Sequence, residues 1–358
     1  MEEIQNKLKQ LSERFEKISQ SIDQDKLRTE IRELEAQTMK EGFWNDPQES
    51  QVITRKLSNK QKTLTTLDDL GTRINNVLEM AEEISMQEDL KKEIQDLAGI
   101  LDKLELKLFL SNPHDESEAI LSVHSGAGGV EAMDWAAMLV RMYQRYFDRQ
   151  DWKYEVTDED AGEEAGIKTV SMIVHESLAF GYLKGERGTH RLVRQSPFNA
   201  DNLRQTSFAL VEVLPVINPS EVELNEGDVE FEAFRSGGAG GQNVNKVSTA
   251  VRVKHIPTGL TVTAQTERSQ LQNRENAMKL LLAKLWAIRE AQGEKLKQEL
   301  KGGATQASWG TQIRSYVLHP YHMVKDLRTN VETSNTDAVL DGDLNQFIEA
   351  ELRHQTSG

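Results

Sequence analysis

Arg235-Ser236-Gly237-Gly238-Ala239-Gly240-Gly241-Gln242-Asn243 puts four glycines into five consecutive positions. It lies between Val229-Glu230-Phe231-Glu232-Ala233 and Ala250-Val251-Arg252-Val253-Lys254, two runs that alternate at strand period. Glycine loses more backbone entropy on folding than any other residue, so the run is not there for stability. It is either a flexible loop or a tip at which bare main chain approaches a partner. A phosphate cradle is disfavoured, because G-x-x-x-x-G-K-[ST] is absent and the spacing does not satisfy G-x-G-x-x-G.

Around this stretch the charge reverses. From Ser236 to Arg289 eight Lys and Arg residues stand against Glu267 and Glu275, in a chain whose net charge is −15. That segment can face phosphates while the rest stays acidic. Pro257-Thr258-Gly259 predicts a turn into a strand from Leu260 to Ala264, and Asn276 to Leu300 predicts one long helix. Gly302-Gly303-Ala304-Thr305-Gln306-Ala307-Ser308 has the small, polar composition of a linker, after which strand and helix character returns from Ile313 to Leu352.

On the N-terminal side, Ala119-Ile120-Leu121-Ser122-Val123 and Ser171-Met172-Ile173-Val174 flank a helical stretch from Ala132 to Phe147. Before about residue 110 the pattern is helical, as in Leu8, Leu11, Phe15 and Ile18. Glu41-Gly42-Phe43-Trp44-Asn45-Asp46-Pro47 interrupts it, and Asp46-Pro47 is suited to begin the next helix. The expected fold class is therefore α+β and multidomain, since 358 residues exceed one hydrophobic core.

The chain has no cysteine, which removes disulfides, thiolate nucleophiles and cysteine-held zinc together and fits a cytoplasmic location. No apolar run of about 18 residues predicts a membrane span, and Met1-Glu2-Glu3-Ile4-Gln5 does not resemble an export signal. His319 and His322 have the spacing of metal ligands but lack an evident third, so neither metal nor cofactor is expected.

Ser236-Gly237-Gly238-Ala239-Gly240-Gly241-Gln242-Asn243-Val244-Asn245 resembles the signature loop of the class I peptide chain release factors. The resemblance implies that this loop enters the peptidyl-transferase centre of the ribosome and promotes hydrolysis of the peptidyl-tRNA ester in the P site. Gly240 and Gly241 would let the backbone approach the tRNA end. The Gln242 amide N–H would stabilise charge developing on the ester or leaving oxygen. Water is the nucleophile, so no Ser, Cys or His triad is needed and the protein is not an enzyme outside the ribosome. The Gln242 side chain would position that water. Family members carry N5-methylglutamine here, which implies a glutamine methyltransferase as partner.

Gly188-Thr189-His190-Arg191-Leu192-Val193-Arg194-Gln195 followed by Ser196-Pro197-Phe198, then Thr206-Ser207-Phe208, resembles the type 2 branch, which reads UAA and UGA. The type 1 branch carries P-x-T and reads UAA and UAG. A serine hydroxyl both donates and accepts, so Ser196 can satisfy adenine or guanine at the second position. By the same resemblance Val193 and Thr206 would meet the third base, unstacked as single-stranded RNA commonly is. In Ser125-Gly126-Ala127-Gly128-Gly129-Val130-Glu131-Ala132, Gly128 would offer backbone to the first uridine, while Glu131 either caps the helix start or meets the base. Many type 2 factors place histidine where Gln205 stands, and Gln205 stacks poorly.

Ser308-Trp309-Gly310-Thr311-Gln312 resembles the family's switch loop, with Trp309 stacking on a decoding-centre base of ribosomal RNA or plugging a domain junction. The implied organisation is a helical domain over 1–112, a discontinuous codon-recognition domain over 113–222 and 308–358, and an inserted glycine-loop domain over 223–307. A monomer acting on the ribosome, the stop codon of the mRNA and the P-site tRNA is expected. A rescue hydrolase also owns G-G-Q but lacks a codon-reading half, which Ser196-Pro197-Phe198 supplies; a ribosome-binding adaptor with an inert loop is the remaining alternative.

Overall fold

The computed structural model describes residues 2–45, 47–80, 87–110, 112, 114–162, 164–199, 201, 203–217, 222, 224–235, 248–300 and 312–357. The chain forms two compact units, Met1–Phe109 and Leu110–Gly358.

The first unit contains α1 (Glu2–Ser21), α2 (Gln24–Thr38), α3 (Pro47–Met80) and α4 (Gln87–Leu108). Apolar residues three and four apart make one stripe per helix. Leu8, Leu11 and Ile18 of α1 meet Leu67, Leu70, Ile74 and Val77 of α3, with Leu90, Ile94, Leu97, Leu101 and Leu104 of α4. Asp23 caps α2, its carboxylate accepting from Lys26 N at 2.9 Å. The predicted break is a 3₁₀ turn, Phe43–Asn45, with α3 opening on Pro47.

The second unit runs β1 (Ala119–Ser125), α5 (Val130–Arg149), β2 (Tyr154–Ala161), β3 (Ile167–Val174), α6 (Ala179–Leu183), β4 (Gly188–Gln195) and β5 (Arg204–Pro215). Then come β6 (Val229–Phe234), β7 (Ala250–His255), β8 (Thr261–Ala264) and α7 (Gln270–Leu300). It ends with β9 (Gln312–Val317), β10 (Met323–Asp326), β11 (Glu332–Thr333), α8 (Thr336–Leu340) and α9 (Asn345–Ser357). An eight-stranded sheet has the order β11-β10-β9-β4-β5-β1-β3-β2, and a three-stranded one the order β6-β7-β8. The chain leaves the large sheet after β5 and returns as β9, which pairs parallel to β4.

α5 covers one face of the large sheet through buried Trp135, Leu139, Tyr143 and Phe147. α7 lies against the other face, where Ile120, Ile173 and Leu214 join Val251, Val253 and Val262 of the small sheet and Leu280, Leu281 and Leu282 of α7 in one core. Three consecutive buried leucines are the mark of a helix apolar on more than one side. α7 starts at Gln270 rather than Asn276; its first turns are Gln-Leu-Gln-Asn-Arg-Glu, which carry no apolar period to predict them. The chain divides between Phe109 and Leu110, and the boundary expected at 112 lies just beyond. That at 307/308 lies outside the described residues.

Arg314 on β9 has its side chain fully buried and donates two bonds to Glu186, at 2.6 and 2.7 Å, and one to Asp326 at 3.2 Å. Tyr143 donates to Glu186 at 2.9 Å, and Arg328 holds Asp326 at 2.8 Å. Burial alone would raise the Glu186 carboxyl, but the facing guanidinium carries it below its ordinary value. His190, buried between Tyr143, Tyr316 and the Glu186 carbonyl, is pushed down to about 4 by burial and by Arg314. The folded protein therefore keeps His190 neutral where the unfolded chain takes up a proton. Stability should fall as pH drops from about 6.5 to about 4, by up to about 3 kcal/mol from this group. Urea unfolding across that range measures it. His190→Gln should flatten the slope, and a slope identical in both proteins would contradict this assignment.

Candidate nucleic-acid interface

Gly128 and Gly129 turn the chain into α5 with φ of +145° and +60°, values L side chains rarely adopt. Gly126 N donates to Phe208 O at 2.9 Å, and a Cβ at Gly126 would sit 2.6 Å from that oxygen, so only glycine permits the approach. Gly129 occupies the cap position of α5, and no side chain caps it. The capping reading of Glu131 is thus corrected. Its carboxylate lies in the first helical turn and faces β4, where it accepts from the Ser196 hydroxyl and from Arg194 Nη2 at 3.3 Å.

Arg194 Nη2 also donates to Asp134 at 2.5 Å, tying two carboxylates one helical turn apart. Its Nε is buried without a partner. Sequence reading missed Arg194 and Asp134. The signal available was a pair of acids at i and i+3 on the first turn of a helix, with an arginine two residues before Ser196 to receive them.

Ser196 is 2% exposed. Its oxygen accepts from Phe198 N at 3.1 Å and Asn199 N at 3.0 Å while its proton goes to Glu131, so the hydroxyl's hydrogen-bonding capacity is spoken for in this state. Pro197 and Phe198 are exposed at the turn beyond it. Val193 pairs with Thr206 and Arg194 with Gln205 across β4 and β5. Thr206 and Gln205 are exposed, but Val193 is buried beside β9, to whose Val317 it also pairs, and its carbonyl accepts from Leu318 N at 2.8 Å. The structure therefore gathers Gly128, Glu131, Ser196, Pro197, Phe198, Val193, Gln205 and Thr206 at one end of the large sheet. Gly240, Gly241, Gln242 and Trp309 lie outside the described residues.

The strands that lead into and out of the glycine stretch are anchored. Phe234 pairs with Ala250 at the end of the β6–β7 ladder. Buried Asn273 bonds the carbonyls of Thr249 and Glu267 and accepts from Glu267 N. The small sheet is fixed to the large one where Thr263 and Gln265 donate to Asp158, at 2.6 and 3.1 Å, and Asn276 donates to Glu155 at 2.6 Å. Burial raises the Asp158 carboxyl despite those donors. His322 bonds Thr336, and no cluster of three potential metal ligands occurs among the described residues.

One end of the large sheet carries exposed polar side chains around a glycine turn, which fits a factor that handles RNA. The family model described as the PCRF domain matches residues 27–211, and that described as the RF-1 domain matches 218–328. The chain belongs to the class I peptide chain release factors, in their type 2 branch. It is 43% identical over 358 residues to peptide chain release factor 2 of Listeria innocua, covering 98% of each chain. It is 45% identical to that of Thermomicrobium roseum, over 98% of this chain and 95% of the relative. A solved structure, RF2 of Thermus thermophilus, matches with a TM-score of 0.70 at 40% identity, over 93% of this chain and 96% of that one. Peptide chain release in translation termination, on the ribosome, is the activity this membership carries. No helix among the described residues is long and apolar enough to cross a membrane.

Ser196→Ala should leave two backbone amides uncapped at a cost of about 1 kcal/mol. Hydrogen exchange at Phe198 and Asn199 should then accelerate while β1 and β3 stay protected. Unchanged exchange at those two amides would show that the hydroxyl does not hold the turn.

Proposed function

We propose that this chain reads UAA and UGA in the ribosomal A site and promotes attack of water on the peptidyl-tRNA ester in the P site. The observation that carries the reading is the Ser196–Glu131 hydrogen bond at the end of the large sheet, just behind the exposed Pro197 and Phe198. A purine arriving there competes with Glu131 for the hydroxyl. Once released, the hydroxyl donates to guanine O6 or accepts from the adenine amino group, which accounts for two codons read by one side chain. Glu131, held by Arg194, keeps an acceptor beside the first base, where Gly128 presents main chain. Thr206 offers the third base a hydroxyl, and buried Val193 shapes the floor behind it. Gln205 is exposed and able to hydrogen-bond, though not to stack.

Hydrolysis is assigned to Gly240, Gly241 and Gln242, with the Gln242 amide N–H facing the developing oxyanion. The codon-recognition domain comprises 113–222 and 308–358, the glycine-loop domain 223–307, and Trp309 couples the two by stacking on decoding-centre RNA. The protein acts as a cytoplasmic monomer, is methylated at Gln242 by a glutamine methyltransferase, and needs no cofactor.

Peptide release from ribosomes programmed with UAA, UGA, UAG or a sense codon tests this. Release is expected at UAA and UGA alone; release at UAG with none at UGA would overturn the codon assignment. Gln242→Pro deletes the amide N–H and should slow release about 10²-fold or more while codon-dependent binding persists. Equal release by that variant would remove Gln242 from the chemistry.

A further inference from the structure

Asp341-Gly342 is the one Asp-Gly step in the chain, and Asn-Gly does not occur. Such a step is chemically weak, because the amide nitrogen that follows can attack the aspartyl Cγ and glycine has no side chain to shield it. The N–Cγ bond forms, the amide proton and the carboxylic OH leave together as water, and a five-membered succinimide results. Water then opens the ring at the Asp341 main-chain carbonyl carbon, so that the chain runs on through Cγ as an isoaspartyl linkage. No oxidant, reductant or further reactant is needed.

The fold requires this step. Gly342 has φ of +94°, and a Cβ there would lie 2.6 Å from Tyr146 N and 2.7 Å from the Arg145 carbonyl carbon, so the turn after α8 is pressed onto the backbone of α5 where only glycine fits. Asp341 follows the last residue of α8 and ties that helix to α5. Its half-exposed carboxylate lies 2.8 Å from Arg145 Nη1 and accepts from Arg149 Nη2 at 2.9 Å, and its carbonyl accepts from Arg149 Nε at 2.9 Å. Glycine is imposed by packing and aspartate by the ion pairs, and together they make the labile sequence.

The same contacts oppose the reaction. Both carboxylate oxygens are held on the arginine side, and the Asp341 ψ of 14° turns the Gly342 nitrogen away from Cγ. That nitrogen also donates to Val339 O at 2.9 Å. The Arg149 hydrogen bond, with Arg145 and Arg141 near, holds the carboxyl below its ordinary value, and an ionised carboxylate is a poor target for the nitrogen. Ring closure therefore requires release of the arginines and rotation about ψ, a local opening rather than unfolding of the whole unit.

We propose that Asp341-Gly342 is a site of spontaneous succinimide and isoaspartate formation, held in check by the clasp of Arg145 and Arg149 on the Asp341 carboxylate. The linkage adds one carbon to the main chain at a point where α5 leaves no room for one more atom. Once formed, it separates α8 from α5.

The full-length protein is incubated at neutral pH and physiological temperature, and isoaspartate at position 341 is followed by mass spectrometry with fragmentation that distinguishes the two linkages. A free peptide of residues 336–344 is the unprotected reference. Wild type should react at least about fivefold more slowly than the peptide, the factor that one exposed ion pair supplies. Arg149→Gln should recover up to about fivefold of that, Arg145→Gln/Arg149→Gln more, and Arg149→Lys should fall between Arg149→Gln and wild type. Ile173→Val, a core truncation remote from the turn, lowers global stability without touching the clasp and should leave the rate unchanged. Wild type reacting as fast as the peptide overturns the proposal, as do glutamine variants no faster than wild type. Equal acceleration by Ile173→Val also overturns it, because protection would then come from the fold as a whole.

Discussion

The buried Arg314 guanidinium is the constraint on which the second unit rests. Covalent continuity does not oblige β9 to lie beside β4, because the chain between them builds a separate sheet and a long helix. A charge enclosed in the core leaves little choice. Removing either partner of such a pair costs about 3–5 kcal/mol, since the other is left buried and uncompensated. Arg314 is held through both terminal nitrogens by Glu186 from the turn before β4 and by Asp326 from β10, its buried Nε has no hydrogen-bond partner, and its face lies 4.5 Å from the Phe347 ring. One residue thereby specifies the register of strands that sequence order keeps far apart.

At the Ser196 end of β4 the specified sheet stops and its neighbours converge. β4 delivers Arg194 and Ser196, and α5 delivers Glu131 and Asp134. β5 delivers Gln205, Thr206 and Phe208, and each group's position is fixed by a ladder or a helical turn. The polar groups there bond one another: Ser196 with Glu131, Arg194 with two carboxylates. Any ligand there must offer better partners than those it displaces, or it leaves a buried polar group unpaired.

Much of the architecture could be read from local pattern. The helical first unit, the strand stretches 119–123 and 171–174, and the alternating runs on either side of the glycines followed from period alone, while β1 runs on to Ser125 and β3 begins at Ile167. The parallel β4–β9 pairing did not, because it joins residues over a hundred positions apart and parallel ladders leave no turn signature. Gln312-Ile313-Arg314-Ser315-Tyr316 nonetheless held a clue. Strand alternation sends Arg314 and Tyr316 to one face, and a charge on the face of a buried tyrosine demands a partner. At the site, Ser196 was legible as a residue type, whereas its engagement by Glu131 was not, since a hydroxyl's partner depends on how α5 and β4 come together. The start of α7 was hidden because its first turns are polar and its burial begins only at Asn273.

Native-state hydrogen exchange on the free protein addresses the central claim most directly, that the two chain segments form one cooperatively locked sheet. Amides of β4, β5 and β9 should open together, with one free energy and one denaturant dependence. Opening of β9 at lower free energy, with β4 and β5 still protected, would contradict it.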